Sequence, residues 1–198
     1  MRQAAANNAA VLAEIILRYC SSSVSTRRCV VTDEEQYLRI ISAKTAALFA
    51  AACRIAPVVA EAGEEAEVAL ECYGKYLGIA FQLVDDMLDY GSTSDVMGKG
   101  VGDDFRDGKV TLPVILAFAR GTAEDRTFWR AAMSGERATD EDLAHAIHLI
   151  KQTGALSDTA ERARHYGRRA LDSLAMFPAG KAKAALSEAV EFAIARAY

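Results

Sequence analysis

Three carboxylates stand close together in the middle of the chain, within the stretch FQLVDDMLD at residues 81–89. Residues three or four positions apart share one face of an α-helix. The polar residues of the stretch follow that spacing and form a stripe: Gln82, Asp85, Asp86 and Asp89. Clustered carboxylates repel one another, and burying them costs free energy unless a cation or hydrogen bonds offset that cost. The stripe is therefore either a solvated acidic face or a cation site, and its apolar flanks favour the cation site.

The cation that suits this stripe is Mg²⁺, which binds one or two carboxylates together with waters and substrate phosphates. The stripe leads into the glycine-rich segment 91–109, which contains Lys99 and Lys109. Glycine lets the backbone approach a bulky anion, and lysine supplies a point charge suited to phosphate. In such a phosphate-binding segment, Asp103 and Asp107 would orient the lysines or join the metal shell. The alternative is a flexible loop of mixed charge. The segment lacks the GxxxxGK[ST] pattern, which excludes a P-loop.

A third lysine, Lys44, lies with Thr45 inside the apolar segment ISAKTAALFAAA. Such a lysine either extends along the helix surface to solvent or points into a cavity that requires a cation. Considered together with the carboxylates, Lys99 and Lys109, the cavity is favoured. The joint chemistry is a diphosphate held by Mg²⁺ and ammonium groups.

The elements that must position these residues are helices. The chain has 198 residues, 52% apolar and 25% charged, with 3 prolines and a net charge of −4. This composition predicts one all-α domain over residues 1–198 and argues against a nucleic-acid partner, which would require a basic stripe. Four cysteines without a CxxC pair predict reduced thiols and a cytoplasmic location. No apolar run reaches the ~18 residues expected of a membrane span, so no transmembrane segment is predicted.

The helix pattern is interrupted at two places, residues 20–32 and the polar segment 91–109, both predicted as loops. Thr111, Leu112 and Pro113 fit the start of a helix, with proline in its first turn. The predicted helices cover residues 1–19, 33–57, 64–89, a segment beginning near 112, 124–133, 139–152, 155–176 and 179–197.

Three linked motifs resemble a known family. Lys44–Thr45, GIAFQLVDDMLDY at residues 78–90 and GKGVGDDFRDGKVTLPVILA at residues 98–117 are similar to the C-terminal half of the trans-polyprenyl diphosphate synthases, the prenyltransferases that elongate isoprenoid chains. The resemblance covers about residues 33–198, whereas residues 1–32 are atypical. It implies an all-α, isoprenoid-synthase-type helical bundle around a central cavity, truncated at its N-terminal side and commonly a homodimer.

The resemblance also implies a role for each motif residue. The Mg²⁺ ligands would be Asp85, Asp86 and Asp89. The diphosphate-binding residues would be Lys44, Lys99 and Lys109. Thr45 and Gln82 would position the allylic end of the substrate, and Phe81 would pack near the condensing carbons. The implied reaction ionises an allylic diphosphate, lets the double bond of isopentenyl diphosphate attack the cation, and then releases a proton.

One part of the family pattern is missing. The family carries a first aspartate-rich motif followed by paired arginines, which residues 1–43 do not contain; Arg27–Arg28 follows no DDxxD. We therefore expect this chain alone to be an incomplete synthase. The alternative is a non-catalytic binding or regulatory homologue that acts with a full-length partner in a hetero-oligomer. A terpene cyclase shares the bundle but is disfavoured, because its (N,D)Dxx(S,T)xxxE site does not follow Asp89.

Overall fold

The chain folds into α-helices, as the sequence predicts. A computed structural model describes residues 33–91 and 102–196, and these ranges contain no β-strand. The helices are α1 (Glu34–Ile41), α2 (Ala47–Val59), α3 (Glu64–Gly91), α4 (Asp103–Arg106), α5 (Leu112–Arg120), α6 (Ala123–Met133), α7 (Asp140–Gln152), α8 (Ala155–Ser173) and α9 (Lys181–Ala195). A π-helical turn, Ser42–Ala46, joins α1 to α2.

Side-chain caps place the starts of two helices close to the predicted positions. Thr122 accepts a hydrogen bond from the backbone N–H of Asp125, whose side chain accepts one from the backbone N–H of Thr122. Thr139 and Asp142 form the same capping box at the start of α7. These pairs satisfy N–H groups that have no partner within the helix. The helix and loop predicted for residues 1–32 lie outside the described residues.

The prediction of a loop throughout segment 91–109 was wrong in the part that the structure describes. Gly102 takes a left-handed backbone conformation, with φ of 86°, and turns the chain into the short helix α4. Glycine adopts this conformation without the steric cost that a side chain would bring. The sequence offered no apolar periodicity here, because four residues are too few to show one.

Helix α3 is central to the fold. Helices α2, α8 and α9 pack along it, and α5 reaches it from the side of the main core. That core is filled by large side chains from α3 to α7, among them Leu83, Phe105, Leu112, Trp129 and Ile150. The residues of interest on α3 are therefore presented from a helix that is buried along much of its length.

Glycine allows α2 and the π turn to lie unusually close to α3. A Cβ atom added at Gly78 would lie 2.7 Å from the Cα of Ala46, and one added at Gly74 would lie 2.4 Å from the carbonyl oxygen of Phe49. No real side chain fits at such distances. A helical glycine costs about 1 kcal/mol relative to alanine, and here it brings the lysine-bearing turn against the carboxylate-bearing helix.

The rod formed by α1, the π turn and α2 has the length and composition of a membrane span. Glu34–Val59 has 26 residues, and its most apolar window has a mean hydropathy of 1.3 with 22% of that window buried. The sequence prediction of no transmembrane segment was based on uninterrupted apolar runs, whereas this window averages over interspersed charges; that prediction remains untested. The property is weak evidence of a membrane span, since core helices of soluble proteins also show it.

Candidate active site

The π-helical turn presents Lys44 and Thr45 beside α3. The Thr45 hydroxyl donates a hydrogen bond to Oε1 of Gln82 at 2.8 Å, so the structure brings together these two predicted site residues. Lys44 is exposed to solvent. Single π turns within α-helices occur frequently at functional sites, because they rotate side chains out of the regular helical register.

Gln82 continues the hydrogen-bonded chain to Asp86. Its Nε2 donates to Oδ1 of Asp86 at 2.7 Å, and the hydroxyl of Tyr37 donates to Oδ2 of Asp86 at 2.6 Å. Asp86 is only 4% exposed. Both oxygens of a buried carboxylate thus have donors, which offsets the cost of its burial.

Sequence reasoning missed Tyr37. Within the helical pattern of α1, it has the features of an ordinary core aromatic residue, and 49 positions separate it from Asp86. One signal was available, since Tyr37 precedes Lys44 by seven residues, close to two helical turns. That spacing indicates a shared helix face but does not identify a hydrogen-bond partner.

Burial governs the protonation of Asp86. Removal from water raises the pKa of Asp86 to about 6, while the hydrogen bonds from Tyr37 and Gln82 lower it and the negative charges of Asp104 and Asp85 raise it. The pKa of the Tyr37 hydroxyl is raised well above its ordinary value, first by burial and then by the adjacent Asp86 charge. Tyr37 is therefore the proton donor of the pair.

Asp89 joins the end of α3 to the start of α4. Its Oδ1 and Oδ2 accept hydrogen bonds from the backbone N–H groups of Asp103 at 3.1 Å and Asp104 at 3.2 Å. Its carbonyl oxygen accepts from the backbone N–H of Gly102 at 3.0 Å. Burial raises the pKa of Asp89 to about 6, the charge of Asp104 raises it further, and the two N–H donors lower it. Asp89 thus caps α4, whose own N-cap residue, Gly102, has no side chain to do so.

Asp85 differs from its two neighbours. It is half-buried, and within the part of the chain that the structure describes it makes no hydrogen bond or ion pair with another residue. Across residues 33–91 and 102–196, no group of three or more His, Cys, Asp or Glu side chains is arranged to hold a metal ion. The donor set still suits Mg²⁺, which needs only one or two carboxylates when waters and phosphate oxygens complete its shell. The assignment of all three aspartates as ligands stays a prediction.

Lys109 is held by carboxylates. Its Nζ lies 2.8 Å from Oδ1 of Asp104 and 3.0 Å from Oδ2 of Asp107. The hydrogen bond to Asp104 is the main reason that the pKa of Lys109 is raised. The expectation that Asp107 orients a lysine agrees with this contact. Lys99, the other lysine of the segment, lies outside the described residues.

Phe81 occupies the same helix one position before Gln82. Its ring centroid lies 5.7 Å from that of Phe49, and the guanidinium carbon of Arg196 lies 5.2 Å from the Phe81 ring centroid. Phe81 is only partly buried. It therefore lies beside the contact between α2 and α3, with part of its surface open to a bound molecule.

Comparison with known proteins gives consistent matches. The family model described as "Polyprenyl synthetase" matches residues 7–150, a range that begins N-terminal to the motifs in the sequence. Octaprenyl diphosphate synthase of Haemophilus influenzae is 39% identical over 170 residues, which are 84% of this chain and 50% of that protein. Octaprenyl diphosphate synthase of Escherichia coli is also 39% identical, over 73% of this chain and 45% of its own length. This chain spans about half the length of the curated relatives that it matches.

Solved structures agree with the fold. A polyprenyl synthase from Caulobacter crescentus CB15, complexed with calcium and isoprenyl diphosphate, superimposes with a TM-score of 0.89 and 40% identity, covering 98% of this chain and 59% of that one. A decaprenyl diphosphate synthase from Rhodobacter capsulatus gives a TM-score of 0.83 and 38% identity, with 98% and 58% coverage. The all-α isoprenoid synthase fold is thereby confirmed.

Proposed function

Because this chain belongs to the polyprenyl synthetase family, we propose that it acts in the Mg²⁺-dependent condensation of isopentenyl diphosphate with an allylic diphosphate. Its curated relatives are polyprenyl diphosphate synthases. The observation that carries the proposal is the continuous hydrogen-bonded chain from Thr45 through Gln82 to Asp86, with Asp85 open beside it. The carboxylate of Asp85, which has no hydrogen-bond or ion-pair partner among the described residues, thus lies next to side chains that their mutual hydrogen bonds already orient.

The three aspartates would have different roles in the site. Asp85 would ligate Mg²⁺ directly, because neither of its oxygens is engaged within the described chain. Asp86 and Asp89 would hold α3 and the start of α4 in place, and each oxygen retains a lone pair that could complete a metal shell. When bound, Mg²⁺ would neutralise the charge that develops on the departing diphosphate.

The cationic residues would bind the substrate diphosphate. Lys44 is exposed on the π turn and would reach it directly. Lys99 would be a second contact, a role that rests on its position in the family motif alone. Lys109 has three N–H donors, of which Asp104 and Asp107 take two, so one remains for a phosphate oxygen. These ammonium groups would stabilise the leaving diphosphate electrostatically.

Thr45, Gln82 and Phe81 would act at the allylic carbon. The Thr45 hydroxyl and the Gln82 amide are fixed by their mutual hydrogen bond, so their dipoles would face the allylic cation without reorganisation. Phe81 would hold the apolar end of the substrate near the condensing carbons. The isopentenyl double bond would then attack the cation, and proton loss would complete the reaction.

A second candidate function is a binding or regulatory subunit that completes or tunes a full-length partner. An exposed apolar face on the α1–α2 rod favours it. Ile40, Leu48, Ile55 and Val59 are 46%, 61%, 57% and 78% exposed. Exposed apolar residues that recur on one helix face, rather than singly, indicate a surface that another protein covers. The partner would be a second copy or a related chain; the cytoplasmic location stays a prediction.

The test measures binding and turnover separately. Purified chain is titrated with geranyl diphosphate in Mg²⁺ or in EDTA, and then incubated with labelled isopentenyl diphosphate. We expect Mg²⁺-dependent binding that Asp85→Asn weakens at least tenfold. Asp172→Asn, an exposed aspartate on α8, is the matched control and should bind like the wild type.

Each outcome separates the candidates. Elongated product from the chain alone excludes the non-catalytic subunit. Mg²⁺-dependent binding without product supports the subunit that needs a partner. If geranyl diphosphate does not bind, or if Asp85→Asn binds it as well as the wild type does, the proposed site is wrong.

A further inference from the structure

Tyr37 belongs to none of the sequence motifs, yet it contacts the carboxylate stripe directly. Its hydroxyl donates to Oδ2 of Asp86 at 2.6 Å, and the two residues are only 3% and 4% exposed. A hydrogen bond of this length to a carboxylate is charge-assisted and stronger than a bond between neutral groups. Because both residues are buried, water cannot replace the tyrosine hydroxyl if it is removed.

Within the described part of the chain, the hydrogen bond of Tyr37 is one of two that join the rod to α3 at the stripe. Tyr37 on α1 bonds Asp86, and Thr45, eight residues later on the π turn, bonds Gln82, one turn before Asp86 on α3. Gln82 in turn bonds Asp86. Beside the packing of the two segments, hydrogen bonds therefore join the rod to α3 at two points of the stripe, and sliding or rotating one along the other would break both.

We propose that Tyr37 is a positioning residue that fixes the register between the Lys44–Thr45 turn and Asp85 on α3. This inference rests on the proposed function, in which Lys44 binds diphosphate and Asp85 binds its metal ion. Asp85 is adjacent in sequence to Asp86, so the rotation of α3 that anchors Asp86 also sets the direction of Asp85. Losing the Tyr37 anchor leaves, among the described residues, the hydrogen bond of Thr45 to Gln82 as the remaining one between the rod and the stripe.

A purely structural role would predict a loss of stability and nothing more. The chain offers a matched control in Tyr73, which lies on α3, the helix that carries the stripe. Tyr73 is 1% exposed, and its hydroxyl donates to the carbonyl oxygen of Leu186 at 2.9 Å. Tyr73 belongs to the second, smaller core, with Ala170 and Val190. Tyr73→Phe therefore removes a buried tyrosine hydrogen bond from the same helix without touching the stripe.

The experiment measures the binding of inorganic pyrophosphate to the full chain by calorimetry, with and without Mg²⁺. We expect Tyr37→Phe to weaken the Mg²⁺-dependent affinity at least tenfold and Tyr73→Phe to leave it within twofold, at temperatures where all three proteins are folded. Equal effects of the two variants, or an unchanged affinity in Tyr37→Phe, would overturn the inference.

A second measurement tests the register without any ligand. If Tyr37 and Thr45 are two anchors of one register, Tyr37→Phe and Thr45→Val should be non-additive by at least threefold in the unfolding equilibrium constant. Tyr73→Phe combined with Thr45→Val should be additive. If wild-type chain does not bind pyrophosphate, the proposed function fails while this measurement still decides the inference. Additive effects of Tyr37→Phe and Thr45→Val overturn the register role.

Discussion

Asp86 should make the metal-free protein lose stability as the pH rises through the weakly acidic range. Burial raises its pKa to about 6 in the folded state, against about 3.9 in an unfolded chain. The folded state then binds the proton more tightly than the unfolded state does. This stabilisation is fully present below about pH 4 and is lost as the pH rises through about 6. A difference of about two pKa units, at about 1.4 kcal/mol each, corresponds to about 3 kcal/mol.

The assay is urea unfolding followed by circular dichroism, between pH 4 and pH 7.5, in EDTA. Other carboxylates titrate as well, and the pKa values of Asp125 and Asp142 are lowered by their capping contacts, which gives the opposite slope. The comparison with Asp86→Asn removes these shared contributions. We expect the free energy of unfolding of the wild type, minus that of the variant, to fall by about 2.5 kcal/mol from pH 4 to pH 7.5, because an unfolded aspartate is already about half ionised at pH 4.

The control for this prediction is Asp172→Asn, which should keep the wild-type pH dependence because Asp172 is exposed. A difference between wild type and Asp86→Asn that stays constant across the range would show that Asp86 does not titrate differently in the folded protein. A difference that grows with pH would mean that its hydrogen bonds outweigh its burial. Either result would refute the reasoning.

Two further predictions concern how the rod packs and what covers it. Gly78→Ala should lower the free energy of unfolding by about 1–3 kcal/mol, because the added Cβ would meet the Cα of Ala46. Gly91→Ala should leave the free energy of unfolding unchanged, since the nearest atom to its added Cβ lies at 4.0 Å. Equal urea midpoints for the two variants would contradict the packing argument. The exposed rod face should make the chain self-associate at high concentration. Sedimentation velocity should show less association for Leu48→Glu than for Phe192→Glu, which changes an exposed apolar residue outside the rod. A monomeric wild type would contradict this prediction.

Helical periodicity was sufficient to predict the longer helices, and motif spacing was sufficient to predict the family. Helix α3 was predicted to within two residues at its end, and the start of α7 to within one, because apolar spacing and capping residues are local signals. The helix at Asp103–Arg106 was missed since a single turn carries no periodic signal. That helix is stabilised instead by Asp89, whose carboxylate accepts hydrogen bonds from the backbone N–H groups at the start of the turn.

The polar stripe shows how much of the site could be predicted from the sequence. Spacing correctly placed Gln82, Asp85 and Asp86 on one helix. The family resemblance gave Thr45 and Gln82 a shared role, and their hydrogen bond agrees with it, while the roles of the site residues stay predictions. The spacing did not distinguish the three aspartates from one another, however. Spacing specifies which residues share a helix face but not how deeply that face is buried or which donors lie opposite it.

The amino-acid sequence by itself determined the all-α class, most of the longer helices and the family, because these depend on local periodicity and on short motifs. Only the tertiary structure distinguished the three carboxylates: Asp86 is enclosed by donors from two helices, Asp89 caps the following turn, and Asp85 stays open. The physical reason is that desolvation and hydrogen bonding depend on groups distant in the chain. Tyr37 reaches Asp86 across 49 positions in the chain, and two glycines of α3 let the π turn and α2 that follow Tyr37 lie close to the same helix.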